Sequence, residues 1–412
     1  MIRAIVAVVA GLIVGLATQA WNPCEVQAQP KTVKIALIAP MSGAWARQGY
    51  LKKLGADMAV DEINASGGIK ALGGAKLELV LADAGDSAEK AKNAAQRLVS
   101  QEPNLSGGMG AWLSTFTLAA TEVTEREHIP WLTLSYSDVI TGRGFKYVFQ
   151  SSPTGGDQAI RSVPTIVALA VGAAGKQPTK AGIIMDNTAS PVSFTKPMRE
   201  GGLEKLGIKL VMDEIFTPPL SDATPLVQKV RSTRPDFMFL VSTSVPDDKL
   251  ILEKMHEFKL GRDRIPVVAN GVAFASPELL QTMGKEQLEG LLVITPSWGV
   301  KGQEELIARF KARTKEPWLT QDSLSTYGHV WILKEALERA KSADREKVAE
   351  AMRQLDLTTG PVAVAFPGGA KFDAVGRRQR TVVLVVQWQN GEPVTVYPPE
   401  YAFAKPKWPK AE

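Results

Sequence analysis

Short apolar runs alternate along this chain with longer stretches in which apolar residues recur every three or four positions, a pattern that predicts parallel strands joined by helices. Residues 33–39 read as a buried strand that Pro40 and Gly43 bring to an end. Over 45–64, Leu51, Leu54, Met58 and Ile63 keep near-helical spacing, and Gly67 with Gly68 closes the helix. A strand over 77–81, helices over 87–100 and 115–126, and a strand over 131–134 after Pro130 complete this first series. A second series opens with a helix near Val163. It continues with strands over 181–185, 237–241, 265–269 and 291–295 and helices over 226–232 and 250–258. Long helices over 323–340 and 345–353 follow, and 382–388, Asn390, Gly391 and 394–397 then read as a hairpin. The Lys- and Pro-containing tail after Phe403 is expected to be loose.

The first residues follow another pattern. Met1, Ile2 and Arg3 precede an uncharged apolar run over 4–17, and a polar stretch then leads to Val26, Gln27 and Ala28. A basic start, an apolar middle and a small-residue cleavage site read as a secretory signal peptide over 1–28, cut after Ala28, so the chain is expected in the periplasm. The apolar run is shorter than the roughly 20 residues that span hydrocarbon, and no later window resembles a span. Cys24 invites a lipoprotein reading, but Trp21, Asn22 and Pro23 before it are not the small and aliphatic residues such a signal uses. Because Cys24 is the only cysteine, a chain cut after Ala28 has no disulfide, thiolate metal site or cysteine nucleophile.

Composition narrows the class further. With 45% apolar residues, the roughly 380 residues after the leader suffice for two packed lobes, since single cores stop growing near 250–300 residues. The formal net charge of +5 is small against 48 basic and 43 acidic residues, and it forms no clustered basic face, so no nucleic-acid partner is expected. His128, His256 and His329 are scattered and keep no metal-ligand spacing. Gly108 and Gly110 suggest a dinucleotide loop, but Leu113 stands where the third glycine belongs. Gly284, Lys285 and Glu286 lack the Ser or Thr of a phosphate loop, and Asp247 with Asp248 reads as a helix start. Nothing pairs a nucleophile with a base. The reading is of a non-enzyme with no cofactor and no metal.

The residues Ala39, Pro40, Met41, Ser42 and Gly43, then Gly49, then the run 59–69 containing Asp61, Glu62, Ile63, Asn64 and the double glycine, resemble the opening of the leucine/isoleucine/valine-binding family of periplasmic proteins. Segments 77–83 and 91–99 continue the likeness, which thins but persists to about Tyr397. The resemblance implies an α/β fold of type I, with two doubly wound lobes joined by three hinge crossovers and the ligand between them. The crossovers are expected near 151–153, 295–298 and 359–361. One lobe would then comprise 31–150 and 297–360, the other 151–296 and 361–400, with 401–412 as tail. It also implies a monomer that passes a small-molecule ligand to the permease subunits of an ABC-type importer. A receptor that reports ligand to a membrane sensor would use the same clamp.

Open sheets of this kind bind ligands beyond the carboxyl ends of their strands. In the loop over 107–115, glycines let a backbone approach a ligand, and Ser114 and Thr115 sit at a helix start that can hold a carboxylate. The family places hydroxyl residues for the ligand carboxylate at this position. Ser135, Tyr136 and Ser137 match another of its ligand-contacting segments. Trp45 lies where the family often lines its cleft, and Trp112 and Tyr136 would offer apolar or stacking walls. In the second lobe the matching loops are 186–190 with Asp186, 242–245 with Thr243, and 270–273 with Val272. Amino-acid-binding members carry an acidic residue in the last of these, where this chain has Val272. An ammonium closed in without an anion is costly. The expected ligand is therefore an aromatic or aliphatic acid without an α-ammonium, unless Asp186 or Asp222 replaces the missing anion.

Overall fold

The structure, a computed structural model, describes residues 31–261 and 264–408; the expected leader and its cleavage site lie outside the described residues. Two sheets organise the chain. The first holds β1 (Thr32–Ala39), β2 (Lys76–Asp83), β3 (Leu105–Gly110), β4 (Trp131–Thr133) and β5 (Val148–Gln150) in the order β2-β1-β3-β4-β5, every pair parallel. The second holds β6 (Lys180–Asp186), β7 (Lys209–Phe216), β8 (Phe237–Val241), β9 (Val267–Asn270) and β10 (Leu292–Thr295), all parallel to their neighbours. The late hairpin β11 (Leu384–Gln389) and β12 (Glu392–Tyr397) adds two antiparallel strands beside β10.

Each sheet is covered on both faces, which is why its inner strands read as continuous apolar runs. In the first lobe, helices Ala46–Ala65, Gln321–Ala340 and Arg345–Arg353 share one core with the strands, and Ala88–Gln101 with Ser114–Arg126 closes the other side. The second lobe has two matching clusters around β6, β8, β9 and β10.

Several elements escape the hydropathy pattern. Strand β3, Leu-Ser-Gly-Gly-Met-Gly, reads as a loop but lies at the middle of its sheet. A Cβ on Gly108 would come within 2.2 Å of the Trp131 ring, and one on Gly110 within 2.0 Å of the Ile38 carbonyl. These glycines serve close packing of β3 against its neighbours, not the approach of a ligand. Strand β7 is an edge strand with polar positions facing solvent, and β5 is only three residues long. Helices Ala189–Pro197 and Glu304–Thr314 were likewise unmarked, and the helix expected near Val163 begins at Gly155, where Thr154 accepts from Asp157 N at 3.3 Å.

The crossovers correct the expected boundaries. The first crossing lies between Phe149 of one core and Ala159 of the other. Trp298 and Val300 pack in the second lobe and Leu306 in the first, so the second crossing lies between Val300 and Leu306. Val362, Ala365, Phe366, Ala370 and Phe372 belong to the first-lobe core; the third crossing therefore comes after Phe372, not at 359–361. Arg378 sits at this junction and donates from Nε to the Ser151 carbonyl at 2.7 Å. The tail is not loose up to Trp408: Lys407 N donates to Gln387 Oε1 at 2.8 Å, and Trp408 meets Phe237 edge-on at 6.0 Å.

Candidate functional site

Strands β3 and β4 of the first sheet and β6, β8 and β9 of the second end at a common cleft between the lobes, the position the carboxyl-end rule specifies. Its empty space, counted out to the open mouth and including open solvent, is ≈ 530 Å³. The first lobe lines it with Lys52, Trp112, Leu113, Ser114, Ser135 and Tyr136, joined by Leu134 and Gln321. The second lobe contributes Ser190, Pro191, Ser242, Thr243 and the turn 270–273.

Ser114 opens the helix Ser114–Arg126. Its Oγ accepts from the backbone NH of Tyr136 and of Ser137, both at 3.1 Å, which ties the loop after β3 to the loop after β4 and leaves the hydroxyl proton free to donate. The first turn of a helix also has NH groups with no intrahelical partner and a partial positive charge. The preceding Trp112 holds φ at +79°, a left-handed conformation that costs a non-glycine residue on the order of 1–3 kcal/mol. Ser135 Oγ donates to the Trp112 carbonyl at 2.7 Å and secures it. Tyr136 is buried, its hydroxyl donating to Gln321 Oε1 at 2.5 Å, and Thr295 donates to the same oxygen. Burial pushes the Tyr136 phenol well up, so it stays a neutral donor.

Of the residues the sequence singles out, the cleft gathers Trp112, Ser114, Ser135, Tyr136, Thr243 and Val272. The other four take different places. Trp45 spans the lobes, its indole NH donating to the Thr243 carbonyl at 3.0 Å while its ring lies edge-on to Phe116 at 5.6 Å. Thr115 also faces the opposite lobe, accepting from Ala189 N at 3.4 Å. Ser137 is buried against Ser193 at 3.2 Å. Asp186 is fully buried and does not line the cleft: its oxygens accept from the NH and hydroxyl of both Thr188 and Thr243, at 2.7–2.8 Å. Burial raises its carboxyl, and those four bonds pull it back. Its acceptor capacity is spent inside the lobe, and exposed Asp222 caps Thr224 N at 2.8 Å away from the cleft. Neither carboxylate is part of the cleft lining.

Sequence reasoning passed over Lys52, Pro191 and Gln321. Lys52 carried a signal: with Gln48, Leu51, Gly55, Met58 and Ala59 it falls on the buried stripe of its helix, where an unpaired lysine is rare. Gln321 lies two residues ahead of the expected start of its helix, just past the Thr320 cap.

The lobes are in contact around the mouth. Arg47 of the first lobe pairs with Glu278 of the second at 2.5 Å and with Glu316 at 2.5 Å. Trp318 donates to the Ala275 carbonyl at 3.1 Å. Among the described residues no group of three or more His, Cys, Asp or Glu is placed to hold a metal, and no helix is long and apolar enough to cross a membrane.

Comparison with known proteins matches this architecture. The family model described as "Periplasmic binding protein" covers residues 32–393. Leu/Ile/Val-binding protein homolog 8 of Brucella abortus (strain 2308) is 27% identical over 388 residues, spanning 92% of this chain and 93% of its own. The leucine-binding protein LivK of Thermotoga maritima superposes with a TM-score of 0.76 at 23% identity, over 88% of this chain and 97% of the other. A solute-binding protein from R. palustris in complex with benzoate superposes with a TM-score of 0.75 at 16% identity, over 92% and 99%. These relatives are solute-binding proteins and not enzymes. With nearly its whole described length matched by that family model, the chain belongs to the periplasmic binding protein family.

Proposed function

We propose that this protein captures a small carboxylic acid lacking an α-ammonium, aromatic or aliphatic, and delivers it as a monomer to the permease of an ABC-type importer. The observation that carries the reading is the charge of the cleft. Among the described residues that line it, the one charged side chain is Lys52, a cation. Val272 occupies the turn where an acid would meet an ammonium, and the two nearby candidate anions face elsewhere. A carboxylate suits such a lining; a zwitterion would leave its ammonium without a counter-charge, at a cost of several kcal/mol.

In this reading the carboxylate docks on the hydroxyl of Ser114 and the first-turn NH groups beside it, a hydrogen bond to a charged group being worth about 1.5–3 kcal/mol. Trp112, Leu134, Tyr136, Pro191 and Val272 enclose the apolar body. The second lobe then closes, and the contacts of Trp45, Thr115 and Arg47 favour the closed form. Closure follows only so far as the ligand touches the closed form better than the open one. The R. palustris neighbour, which holds benzoate, supports the same class of ligand.

Isothermal titration calorimetry with benzoate, hexanoate and leucine tests the reading. Binding of one or both acids with silence from leucine is expected. Tight leucine binding with silence from the acids overturns it.

A further inference from the structure

Gln321 opens the helix Gln321–Ala340 and lines the cleft, although only 4% of it is exposed. A carboxamide has one end that only accepts and one that only donates, and the hydroxyls around Gln321 decide which end is left for a ligand. Tyr136 Oη and Thr295 Oγ1 both lie 2.5 Å from Gln321 Oε1. That separation belongs to O–H···O bonds and is shorter than the roughly 2.7 Å at which N–H···O bonds begin, so the end facing the two hydroxyls is the carbonyl. Both hydroxyls give it their protons. Nε2, at the other end, carries two donor protons and has no acceptor among the described residues. It is not one of the sealed, unpartnered polar atoms of the interior; the space its residue lines is the cleft.

The amide is held from both lobes. Tyr136 follows β4 of the first sheet and Thr295 ends β10 of the second, so turning the carboxamide over would lose a bond on each side. Tyr136 also sets its distance from the proposed carboxylate seat. The Tyr136 NH donates to Ser114 Oγ at 3.1 Å and its hydroxyl to Gln321 at 2.5 Å, and Tyr136 itself lines the cleft. The Ser114 hydroxyl and the Gln321 amide therefore stand about one tyrosine side chain apart.

We propose that Gln321 is a specificity-determining residue that donates from Nε2 to a carbonyl oxygen of the ligand, so that the acid captured is an oxo acid whose carbonyl lies about one tyrosine length from its carboxylate. The inference rests on the carboxylic-acid reading and adds a second group to it. An apolar end would leave the amide protons unmet in a closed cleft, which is costly. A hydroxyl can accept from them, but its own proton then faces a group with no acceptor to offer. A second carboxylate would give up the hydration of a full charge for a neutral donor. A carbonyl oxygen accepts and brings neither proton nor charge.

The test is calorimetric titration of the full chain with acids of matched shape: 4-acetylbenzoate against 4-isopropylbenzoate, and 5-oxohexanoate against 5-methylhexanoate. Each pair exchanges a carbonyl oxygen for a methyl group, and benzene-1,4-dicarboxylate and 4-aminobenzoate are further arms. In the unmodified protein the oxo member of at least one pair is expected to bind at least about tenfold tighter, the equivalent of 1.4 kcal/mol, and the dicarboxylate and the amine more weakly than 4-acetylbenzoate. Gln321→Glu keeps an acceptor for the Tyr136 and Thr295 hydroxyls but replaces the donor, and should bring the ratio within that pair to one or below. Gln321→Met, which removes the whole carboxamide, is the second variant, and a thermal melt of each checks folding. A Gln321 that merely supported the cleft would lower both members of a pair alike and leave their ratio unchanged. Equal affinities within both pairs, survival of the preference in either folded variant, or tighter binding of the dicarboxylate or the amine overturns the proposal while leaving the carboxylic-acid reading intact. Silence from every acid overturns both.

Discussion

The wall that the first lobe gives to the cleft keeps hydrogen-bonding capacity open at Ser114, whereas in the second lobe the hydroxyls of Ser242 and Thr243 are turned inward. On the first side the hydroxyl of Ser114 is fixed by two backbone donors and retains its proton, and Lys52 presents an ammonium. On the second side two carboxylates lie behind the wall. Asp186 takes the hydroxyl and NH of Thr243, and Asp248 takes the hydroxyl of Ser242, so the polar groups of those lining residues are turned inward. Val272 and Pro191 then stand beside them as apolar surface. In the proposed reading the halves of one clamp divide the work: one would fix the orientation of a ligand through charge and hydrogen bonds, and the other would contribute enclosure.

The sharpest way to break that division is to give the second lobe a charge. Val272→Glu is expected to cost the acid ligand about 100-fold or more in affinity, since a carboxylate would face a carboxylate in a closed cleft. The same variant should make leucine binding measurable by calorimetry. Unchanged preference would place Val272 outside the ligand's reach. Next in size, Ser114→Ala removes a donor to the ligand and the acceptor for two loop NH groups; a loss of about 10–100-fold is expected, at about 1.5–3 kcal/mol for a bond to a charged group. A comparable loss on truncating Ser190 would show that the second lobe also orients the ligand.

Smaller effects should come from the contacts that join the lobes. Trp45→Phe deletes the bond to the Thr243 carbonyl and should weaken binding about fivefold, near 1 kcal/mol, with scattering showing a more open protein at the same ligand concentration. Arg47→Ala breaks a half-exposed pair with Glu278 and Glu316; about twofold to threefold is expected, and the effect should shrink in high salt.

The smallest change in binding is expected from Asp248→Asn, which instead reads stability. Burial holds the Asp248 carboxyl well above its ordinary range, and the charges of Asp186 and Asp247 push the same way. Between the unfolded carboxylate pKa and that raised value the native state binds more protons than the unfolded one. Stability therefore falls as pH rises through this window. Asp248→Asn should raise Tm at pH 7 by a few degrees, reduce the fall of Tm above pH 4, and alter ligand affinity less than about threefold. An unchanged pH profile of Tm would mean that Asp248 is ionised at little cost.

Much of the fold was legible because the pattern of buried positions is local. Strands β1, β6 and β8, covered on both faces, announce themselves as apolar runs, and the amphipathic helices between them follow from spacing alone. What resisted was set by neighbours distant in sequence. β3 is glycine-rich because the Trp131 ring and the Ile38 carbonyl crowd it, and no local rule distinguishes that from a loop. Edge strand β7 carries Lys209, Asp213 and Glu214 among its apolar residues and is only partly buried, because it lies at the sheet's edge. The third crossover was misplaced because Gly360 and Pro361 look like a junction but start a short helix packed on the first-lobe core.

The candidate site divides in the same way. The chain by itself determined where strands end, which loops can face a ligand, that Ser114 begins a helix, and that Val272 is no acid, since each is a property of a short segment. Only the tertiary structure decided which groups remain available. It sealed Asp186 behind Thr188 and Thr243, set Trp45 and Thr115 against the opposite lobe, and brought Lys52 and Asp322, 270 positions apart in the chain, to 3.5 Å. Hydrogen-bond capacity is consumed by whichever partner folding brings nearest, and that partner cannot be read from a residue's own neighbours in the chain.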